Sequence, residues 1–346
     1  MFKEAFAAVL AHHDLPEETM GQVLEAFLAG QIDPVAFGGF LIAIRMKGVA
    51  RSELTGAARF LLRRAVPIDT GLLQTVDMVG TGGDGGASFN ISTTAAFVAA
   101  GAGVPMAKHG NRAVSGKSGA ADVLAACGFN LDCPPDVMEQ AISKLGIGFL
   151  FAQKLHPAFA KVGPIRRALG TRTLFNLLGP LVNPARASAA VIGVYDAADT
   201  ELMAGALQDL GMRRAMVVHG QDGLDEITVT SMTRVTELDA EGNLRTYELY
   251  PELLLGQRYP TRDLRGGTPQ ENAALLRAIL EGRERGGARA AVALNAGAAI
   301  ALSGRAQDLA EGYQLACQAI DSGAALGKLE ALIALSRQGA PAAQEP

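Results

Sequence analysis

The sequence predicts an α/β fold: a large α/β domain with a mostly parallel central sheet, beside a small all-helical domain. Two observations predict this arrangement. Residues up to about Val66 show only helical periodicity, whereas short apolar runs alternate with helical segments from Thr75 onward. Pro67 begins a turn-rich stretch between the two patterns. We therefore expect the helical domain over residues 1–70 and the α/β domain over residues 71–346.

The N-terminal segment is predicted to form a series of short helices. Between Pro16 and Gly30, apolar residues recur at i, i+3, i+4 and i+7, which indicates one buried face of a helix. These residues are Met20, Val23, Leu24 and Phe27. A second helix begins with Asp33 as its N-cap, and a third begins at Ser52.

The remainder of the chain contains short apolar runs that are predicted to be strands. The runs cover residues 75–79, 104–107, 148–152, 189–195 and 215–219. Helical segments separate them, and this alternation favours a parallel sheet. Helices within about 157–182 are expected to complete the small domain, and the tail 338–346 is expected to be disordered.

The composition excludes several classes of protein. Of the 346 residues, 49% are hydrophobic and 19% are charged, which is typical of a globular chain. No uncharged apolar run reaches the roughly 18 residues of a membrane helix, and the net charge of −4 gives no support to nucleic-acid binding. The cysteines have no CxxC spacing, and the N-terminus does not resemble a signal peptide. We expect a cytoplasmic protein without a zinc site, membrane contact or nucleic-acid partner.

A glycine-rich stretch, residues 80–86, directly follows the first predicted strand. Its glycines allow close approach of a ligand to backbone N–H groups. The stretch formally matches GxGxxG, but a dinucleotide site also needs an acid about 20 residues further on. The chain has no acid between Gly85 and Ala121, so a dinucleotide site is excluded.

The same acid-free stretch predicts phosphate binding. It contains two hydroxyl-rich segments that are expected to begin helices, residues 90–94 and 115–119. Helix N-termini present free N–H groups and a partial positive charge to an anion. The basic side chains of the stretch are Lys108, His109, Arg112 and Lys117. A glycine loop, two helix N-termini and these cations together suit a ligand with several phosphates.

A P-loop is a competing interpretation, because Gly116, Lys117 and Ser118 match the end of its motif. That motif needs its first glycine at position 111, which is Asn111, and a strand directly before the loop. Position 111 is not glycine, and the strand predicted before the loop ends at Ala107, so we reject a P-loop.

Several motifs, in order along the chain, resemble the signature of the anthranilate phosphoribosyltransferase family. They are residues 80–84, 90–93, 108–115, 156–158, Arg166, residues 172–184 and Asp225-Glu226. The resemblance runs from about Gly80 to Glu226 and continues more weakly over both ends. It implies a helical domain beside a large α/β domain, and a homodimer joined through the helical domain. It also implies phosphoribosyl diphosphate, anthranilate and Mg²⁺ as ligands, and a place in tryptophan biosynthesis.

The resemblance also implies roles for individual residues. Phosphoribosyl diphosphate is expected to contact Gly80, Gly83, Asp84, Ser88, Asn90, Ile91, Ser92, Thr93, Lys108, His109, Gly110, Asn111, Arg112, Ala113, Val114, Ser115, Gly116 and Ala120. Anthranilate is expected at Gly80, Asn111 and Arg166, and magnesium at Ser92, Asp225 and Glu226. The implied catalytic residues are His109, Asn111 and Arg166.

The chemistry of the implied reaction constrains these roles. The amine of anthranilate is an aryl amine and is uncharged at neutral pH, so we expect positioning rather than an essential general base. Whether His109 acts as a base stays open. Asp225 and Glu226 are neighbours, which point to opposite faces of a regular strand, so both reach the ligand only from a turn or by serving two separate ions. The alternative for this pair is a solvated acidic loop.

Two other functions compete with this interpretation. A pyrimidine nucleoside phosphorylase would use inorganic phosphate and a nucleoside, but the motifs at 108–115 and 172–184 favour the anthranilate enzyme. A non-catalytic relative that binds nucleic acid should have lost the glycine loop and gained a basic face. This chain keeps the loop and is net acidic.

Overall fold

A computed structural model describes residues 1–72, 74–82, 88–113 and 116–338. The chain begins with four helices, α1 (Phe2–Leu10), α2 (Glu17–Leu28), α3 (Pro34–Lys47) and α4 (Arg51–Arg64). The Asp33 carboxylate accepts hydrogen bonds from the N–H groups of Val35 and Ala36, so Asp33 is the N-cap of α3 as predicted. The predicted disordered tail lies outside the described residues, apart from Gln338.

A seven-stranded sheet forms the centre of the second part of the chain. Its strands are β1 (Val76–Gly80), β2 (Met106–Gly110), β3 (Ile147–Phe151), β4 (Ala189–Gly193), β5 (Arg214–Gly220), β6 (Thr233–Leu238) and β7 (Leu244–Leu249). They lie in the order β3-β2-β1-β4-β5-β6-β7. The first five are parallel, as the alternation predicts, and the antiparallel hairpin β6–β7 extends one edge.

Helices cover both faces of this sheet. They are α5 (Ile91–Gly101), α6 (Ala120–Ala126), α7 (Pro135–Gln140), α8 (Ala152–Leu155), α9 (Pro157–Leu169), α10 (Phe175–Leu178), α11 (Asp199–Asp209), α12 (Pro251–Leu255), α13 (Pro269–Leu280), α14 (Gly287–Leu302), α15 (Leu309–Asp321) and α16 (Ala324–Ser336). Among the described residues, no helix combines the length and the apolar character that a membrane crossing requires. The predicted fold class is confirmed.

Side chains of the central strand β4 divide the core into two clusters. Ala189 and Val191 belong to the cluster beneath α5 and α14, whereas Ala190 and Ile192 belong to the cluster that includes the N-terminal helices. Successive strand residues point to opposite faces, so a strand covered on both sides is apolar throughout. The helices α1 to α4 therefore share one continuous apolar cluster with this face of the sheet.

The helices between β3 and β4 return to the N-terminal helices. Helix α9 packs on α3 and α4, and α10 packs on α4. At the crossing of α3 and α9, a Cβ added to Gly38 would lie 3.6 Å from Ile165. This distance is an ordinary van der Waals contact, so the two helices pack closely at Gly38.

The strand order creates a topological switch point between β1 and β4. The chain leaves β1 for β2 and β3 on one side, and it continues from β4 to β5 on the other. The connections of an open parallel sheet diverge at such a point, and a crevice opens at the carboxyl ends of the two strands. Gly80 and Gly193 are register partners at these ends.

Candidate functional site

Asp225 lies directly against the ends of β1 and β4. A Cβ added to Gly193 would lie 1.6 Å from the backbone oxygen of Asp225, and one added to Gly80 would lie 2.2 Å from its Oδ2. Only glycine at both positions allows this approach. The same Oδ2 accepts a hydrogen bond of 2.8 Å from the N–H of Gly82. The acidic pair thus contacts the start of the glycine-rich stretch.

The second acid of the pair reaches the N-terminus of α5. The Glu226 Oε1 accepts a hydrogen bond of 3.0 Å from the N–H of Ser92. Loss of hydration raises the pKa of Glu226 to about 8, and repulsion from Asp225 adds to the rise, while Lys108 opposes it. Asp225 and Glu226 occupy bends rather than a strand, so the alternation of a regular strand does not direct them to opposite faces. Ser92, Asp225 and Glu226 therefore meet in the structure.

These three residues offer only oxygen donors, two carboxylates and a hydroxyl. Mg²⁺ prefers oxygen ligands and commonly uses one or two carboxylates together with phosphate oxygens and water. The donor set fits Mg²⁺ held together with a phosphorylated ligand. Among the described residues, no group of three or more His, Cys, Asp or Glu side chains could hold a metal ion without such a ligand.

A buried polar network holds the ends of β1 and β2 together. The Asp77 carboxylate accepts a hydrogen bond of 3.0 Å from the N–H of His109 and one of 2.7 Å from Asn183 Nδ2. Asn183 Nδ2 also donates to the Ala107 carbonyl at 2.7 Å. Burial raises the pKa of Asp77 to about 6, although Lys108 and Asn183 favour its charged form. The network fixes the backbone at the beginning of the 108–115 motif.

Lys108 is enclosed by this network rather than exposed in the crevice. It is 3% exposed, and its Nζ donates to the Met78 carbonyl. Burial lowers the pKa of the amine, while Asp77 and Glu226 favour its charged form. The Lys108 amine is therefore buried close to the carboxylates of Asp77 and Glu226.

Two buried histidines lie side by side at the end of β2. His109 Nδ1 lies 3.1 Å from the Gly179 carbonyl, which requires a proton on Nδ1 and leaves Nε2 as an acceptor. The ring centroids of His109 and His156 are 5.1 Å apart. Burial lowers the pKa of His109 to about 3 and that of His156 to about 4. Neither Nε2 has a hydrogen-bond partner among the described residues. The pair offers neutral acceptors rather than cations.

Arg172 contacts the glycine-rich stretch, and Arg166 is close enough to Arg172 for the two charges to repel each other. Arg172 Nη1 donates to the Gly82 carbonyl at 3.0 Å, and its guanidinium stacks over Tyr195 at 4.3 Å. Arg172 Nη2 is buried without a hydrogen-bond partner in the described part of the chain. Burial, and then repulsion from Arg172, lowers the pKa of Arg166. Two guanidinium groups that repel each other are suited to binding an anion.

The side chains of the two predicted helix N-termini are linked. Ser118 Oγ donates to Asn90 Oδ1 at 3.2 Å, and Asn90 Nδ2 donates to the Ser118 carbonyl at 3.1 Å. Asn272 Nδ2 donates to the same Asn90 Oδ1 at 3.0 Å. Helices α5 and α6 begin after Asn90 and Gly119, as predicted. The N-termini of both helices therefore lie close together.

Most of the predicted site residues lie at the carboxyl ends of β1 and β2, at the starts of α5 and α6, or in the segments beside them. These residues are Gly80, Ser88, Asn90, Ile91, Ser92, Thr93, Lys108, His109, Gly110, Asn111, Arg112, Ala113, Gly116 and Ala120. Arg112 pairs with Asp122 at 2.8 Å, and Asn111 is exposed. Gly83, Asp84, Val114 and Ser115 lie outside the described residues.

Comparison with known proteins identifies the family. A model described as "Glycosyl transferase family, helical bundle domain" matches residues 3–65, and one described as "Glycosyl transferase family, a/b domain" matches residues 72–326. The anthranilate phosphoribosyltransferase of Desulfatibacillum aliphaticivorans is 48% identical over 338 residues, which cover 98% of this chain and 99% of that protein. The chain belongs to the anthranilate phosphoribosyltransferase family.

Solved structures of anthranilate phosphoribosyltransferases share the fold. The enzyme from Thermus thermophilus gives a TM-score of 0.90 at 44% identity, covering 96% of this chain and 99% of that one. The Saccharomyces cerevisiae enzyme in complex with PRPP (phosphoribosyl diphosphate) and Mg gives 0.87 at 28% identity, covering 97% of both chains. The same yeast protein in complex with 4-fluoroanthranilate gives 0.86 at 27% identity, with 97% of both chains covered. The family resemblance predicted from the motifs is therefore confirmed.

Several residues that shape the candidate site were not predicted from the sequence as site residues. Asp77 and Asn183 are far apart along the chain, and only the fold brings them together. An acid within the apolar strand run that contains Asp77 was the available signal for this network. Arg172 and His156 lie inside motifs that resemble the family signature, but the resemblance assigned them no role.

Proposed function

We propose that this protein transfers the 5-phosphoribosyl group from phosphoribosyl diphosphate to the amine of anthranilate. The products are N-(5-phosphoribosyl)anthranilate and diphosphate, and the reaction is a step of tryptophan biosynthesis. One observation carries the proposal: an acidic pair meets the glycine-rich stretch at the switch point between β1 and β4. The membership in the anthranilate phosphoribosyltransferase family supports it.

We propose that the donor lies along the carboxyl ends of β1 and β2. Helix α5 begins beside this edge of the sheet, where the partial positive charge of its N-terminus favours phosphate oxygens. Ser92, Asp225 and Glu226 would hold Mg²⁺ through their oxygen atoms. A yeast relative solved with PRPP and Mg supports Mg²⁺ as the ion. Bound Mg²⁺ would offset the negative charge that grows on the diphosphate as the bond between C1 and oxygen breaks.

The acceptor site is proposed between the arginines and the histidine pair. The Arg166 guanidinium would bind the anthranilate carboxylate through two parallel hydrogen bonds, and Asn111 would orient the ring. The yeast relative solved with 4-fluoroanthranilate supports an aromatic acceptor. His109 is neutral, and its buried Nε2 has no partner among the described residues, so this nitrogen would accept a hydrogen bond from an amine that reached it. This contact directs the amine lone pair towards C1 of the donor.

The chain's own residues would act by positioning and charge rather than by strong base catalysis. The aryl amine is already neutral, so its lone pair is available without removal of a proton. The N–H groups of Gly82 and Ser92 hold the Asp225 and Glu226 carboxylates in place, so the proposed Mg²⁺ ligands are already oriented before charge develops on the leaving group. We therefore infer that no residue of this site is an essential general base.

The proposal is tested by following anthranilate fluorescence with the purified protein, phosphoribosyl diphosphate and Mg²⁺. We expect the signal to fall only when protein, donor and Mg²⁺ are all present, and no fall would reject the proposal. A parallel assay with thymidine or uridine and inorganic phosphate tests the phosphorylase alternative. Turnover there, without loss of anthranilate fluorescence, would favour that alternative. Salt-dependent retention on immobilised DNA would point to the nucleic-acid-binding alternative.

We propose a homodimer joined through the N-terminal helices. A groove between α3 and α9 is lined by apolar residues, among them Val35, Ile42, Ile165 and Leu169. Val35 is 84% exposed, which is unusual for a large aliphatic side chain beside other apolar groups. A second copy of the chain would cover this groove.

The division into domains is also a proposal. It assigns residues 1–70, completed by helices within 157–182, to a helical domain, and residues 71–346 to the α/β domain. The packing of α9 and α10 on the N-terminal helices supports the assignment. The cytoplasmic location stays a prediction.

A further inference from the structure

Helix α14 contains one buried amide in otherwise apolar surroundings. Every residue of α14 except Arg289 is buried, and Asn295 is 0% exposed. Its neighbours along the helix are mostly alanine, valine and leucine. Burying an amide is unfavourable unless all of its polar atoms find partners, so its position needs a physical reason.

The segment 221–232 between β5 and β6, here called the acidic loop, contains Asp225, Glu226 and Ile227. The Asn295 side chain binds both the backbone N–H and the backbone carbonyl of Ile227. Its Oδ1 accepts a hydrogen bond of 3.0 Å from the N–H of Ile227, and its Nδ2 donates to the Ile227 carbonyl at 2.8 Å. Nδ2 also donates to the Ala291 carbonyl at 2.9 Å, within α14 itself. The side-chain amide therefore makes the pair of hydrogen bonds to Ile227 that the backbone of a neighbouring strand would make. It holds this residue at both its N–H and its carbonyl.

The opposite side of the same loop is fixed by the two glycines at the strand ends. Gly193 and Gly80 are in such close contact with Asp225 that no side chain fits between them. Asp225 and Glu226 thus lie between the strand ends on one side and the Asn295 contact with Ile227 on the other. A shift of Ile227 would move the adjacent Glu226 away from Ser92, to which it is now hydrogen-bonded.

We propose that Asn295 is a positioning residue for the metal-binding carboxylates. By holding Ile227, it keeps Asp225 and Glu226 at the spacing from Ser92 and the glycine-rich stretch that a Mg²⁺ ion bridged to the donor requires. The inference rests on the proposed function, because it assumes that this pair binds Mg²⁺. Partners that orient metal ligands affect metal affinity even though they never touch the ion.

A purely structural role for Asn295 predicts a different result. In that case, loss of the amide lowers the free energy of unfolding, but the folded protein keeps its affinity for Mg²⁺ together with the donor. The test must therefore compare Asn295 with a residue of the same helix whose loss destabilises the protein without touching the acidic loop. Leu302 meets this need, because it is 3% exposed and lies two turns from Asn295 in α14.

The experiment measures binding of phosphoribosyl diphosphate by calorimetry at a series of Mg²⁺ concentrations, without anthranilate. The proteins are the wild type, Asn295→Leu and Leu302→Ala. In Asn295→Leu, we expect the half-saturating Mg²⁺ concentration to rise by about 10- to 100-fold, the range found for partners of metal ligands. In Leu302→Ala, we expect no rise, although the protein is less stable.

Asn295→Ala provides a second variant that removes the whole amide without adding a charge or a larger side chain. A rise in the Mg²⁺ requirement is expected here too, and this variant carries the test if Asn295→Leu does not fold. An unchanged Mg²⁺ requirement in the folded Asn295 variants, or an equal rise in Leu302→Ala, would overturn the inference alone. Donor binding by the wild type that does not depend on Mg²⁺ would reject the proposed metal site, and the inference with it.

Discussion

The backbone N–H of Gly82 donates a hydrogen bond of 2.8 Å to the Asp225 carboxylate across a separation of 143 residues. This contact joins the glycine-rich stretch to the acidic loop. Arg172 holds the carbonyl of the same Gly82. Both polar backbone groups of Gly82 are therefore bound by side chains from distant segments, and the position of this residue depends on the acidic pair.

Asp225→Ala should remove one proposed metal ligand and the acceptor for Gly82. We expect kcat/KM for phosphoribosyl diphosphate to fall by at least about 100-fold, because the electrostatic stabilisation of the leaving diphosphate is reduced. Steady-state kinetics at saturating anthranilate and varied Mg²⁺ measure the effect. Asp239→Ala, in the exposed turn between β6 and β7, is the control and should leave kcat/KM unchanged. A fall of less than tenfold for Asp225→Ala would contradict a metal-binding role.

Gly193→Ala should displace the acidic loop without changing any charged group. The new Cβ would lie 1.6 Å from the Asp225 backbone oxygen, so either the loop or the strand end must move. We expect the free energy of unfolding to fall by about 1–3 kcal/mol, as is typical of overpacking, and the Mg²⁺ requirement to rise. Chemical denaturation and donor binding measure the two effects.

Gly327→Ala is the matched control for this substitution. Gly327 lies in α16, is exposed, and has no atom within 4 Å of an added Cβ. Alanine is the better helix former, so the free energy of unfolding of this variant should rise by up to about 1 kcal/mol. Its activity should be unchanged. If Gly193→Ala behaved like Gly327→Ala, the close packing of Asp225 on β4 would be refuted.

His109→Ala should lower kcat by less than the roughly 100-fold that loss of a general base typically causes. The pKa of His109 is lowered to about 3, so the imidazole is neutral throughout the range from about pH 5 to pH 9. We therefore expect the pH profiles of kcat for variant and wild type to have the same shape. A larger loss, together with a missing inflection, would assign a proton transfer to His109.

The same pKa determines how His109 affects stability. Its folded value of about 3 is below the ordinary value of 6.5, so the unfolded chain binds the additional proton between these limits. The free energy of unfolding should accordingly fall as the pH drops below about 6.5. When the pH falls from about 7 to about 5, the free energy of unfolding should decrease for both proteins. We expect the decrease to be smaller for His109→Ala than for the wild type, by up to about 2 kcal/mol. Urea denaturation at both pH values measures this difference.

Asn183→Leu should destabilise the protein through the buried network at β1 and β2. Asp77 would lose a hydrogen bond of 2.7 Å, and the Ala107 carbonyl would lose another. Leaving buried groups unpaired costs about 1–3 kcal/mol each, so we expect a loss of about 2–5 kcal/mol in urea denaturation. Asn243→Ala, in the exposed β6–β7 turn, should lose less than about 1 kcal/mol. Equal losses for the two variants would show that the network adds nothing to stability.

Val35→Glu should weaken the proposed dimer. The substitution places a charge in the apolar groove between α3 and α9, and a second copy would have to bury that charge. Sedimentation velocity should show monomers at concentrations where the wild type is dimeric. Leu253→Glu is the control, because Leu253 is 81% exposed but lies in α12, outside the groove. A dimer that survives Val35→Glu would place the interface elsewhere.

The sequence predicted the parallel part of the fold but not the hairpin at its edge. Buried parallel strands such as 189–193 are apolar throughout, so they are recognisable without knowledge of their partners. Strand β7 has the burial pattern of an exposed edge, and its residues include Arg245 and Glu248. Such a strand has no continuous apolar run, and only its pairing with β6 defines it.

The site was predicted where its residues are adjacent in sequence and missed where the fold alone unites them. Asn90 and the 108–115 motif could be found because each forms a local pattern of caps, cations and glycines. Asn295 and Asn183 could not be found, because each is a single amide in an apolar or turn-like segment. Their importance depends on backbone groups of Ile227 and Ala107, which no local pattern identifies.

Strand β7 has a consequence for how copies of this chain meet. A sheet that ends in an unpaired strand invites another strand to extend it, and natural proteins resist this with charged side chains at the edge. Here Arg245 stacks on Tyr247, whose hydroxyl donates to Glu237, so the outer strand carries fixed polar groups. These side chains therefore disfavour the addition of strands from other copies to β7, and with it the formation of fibres.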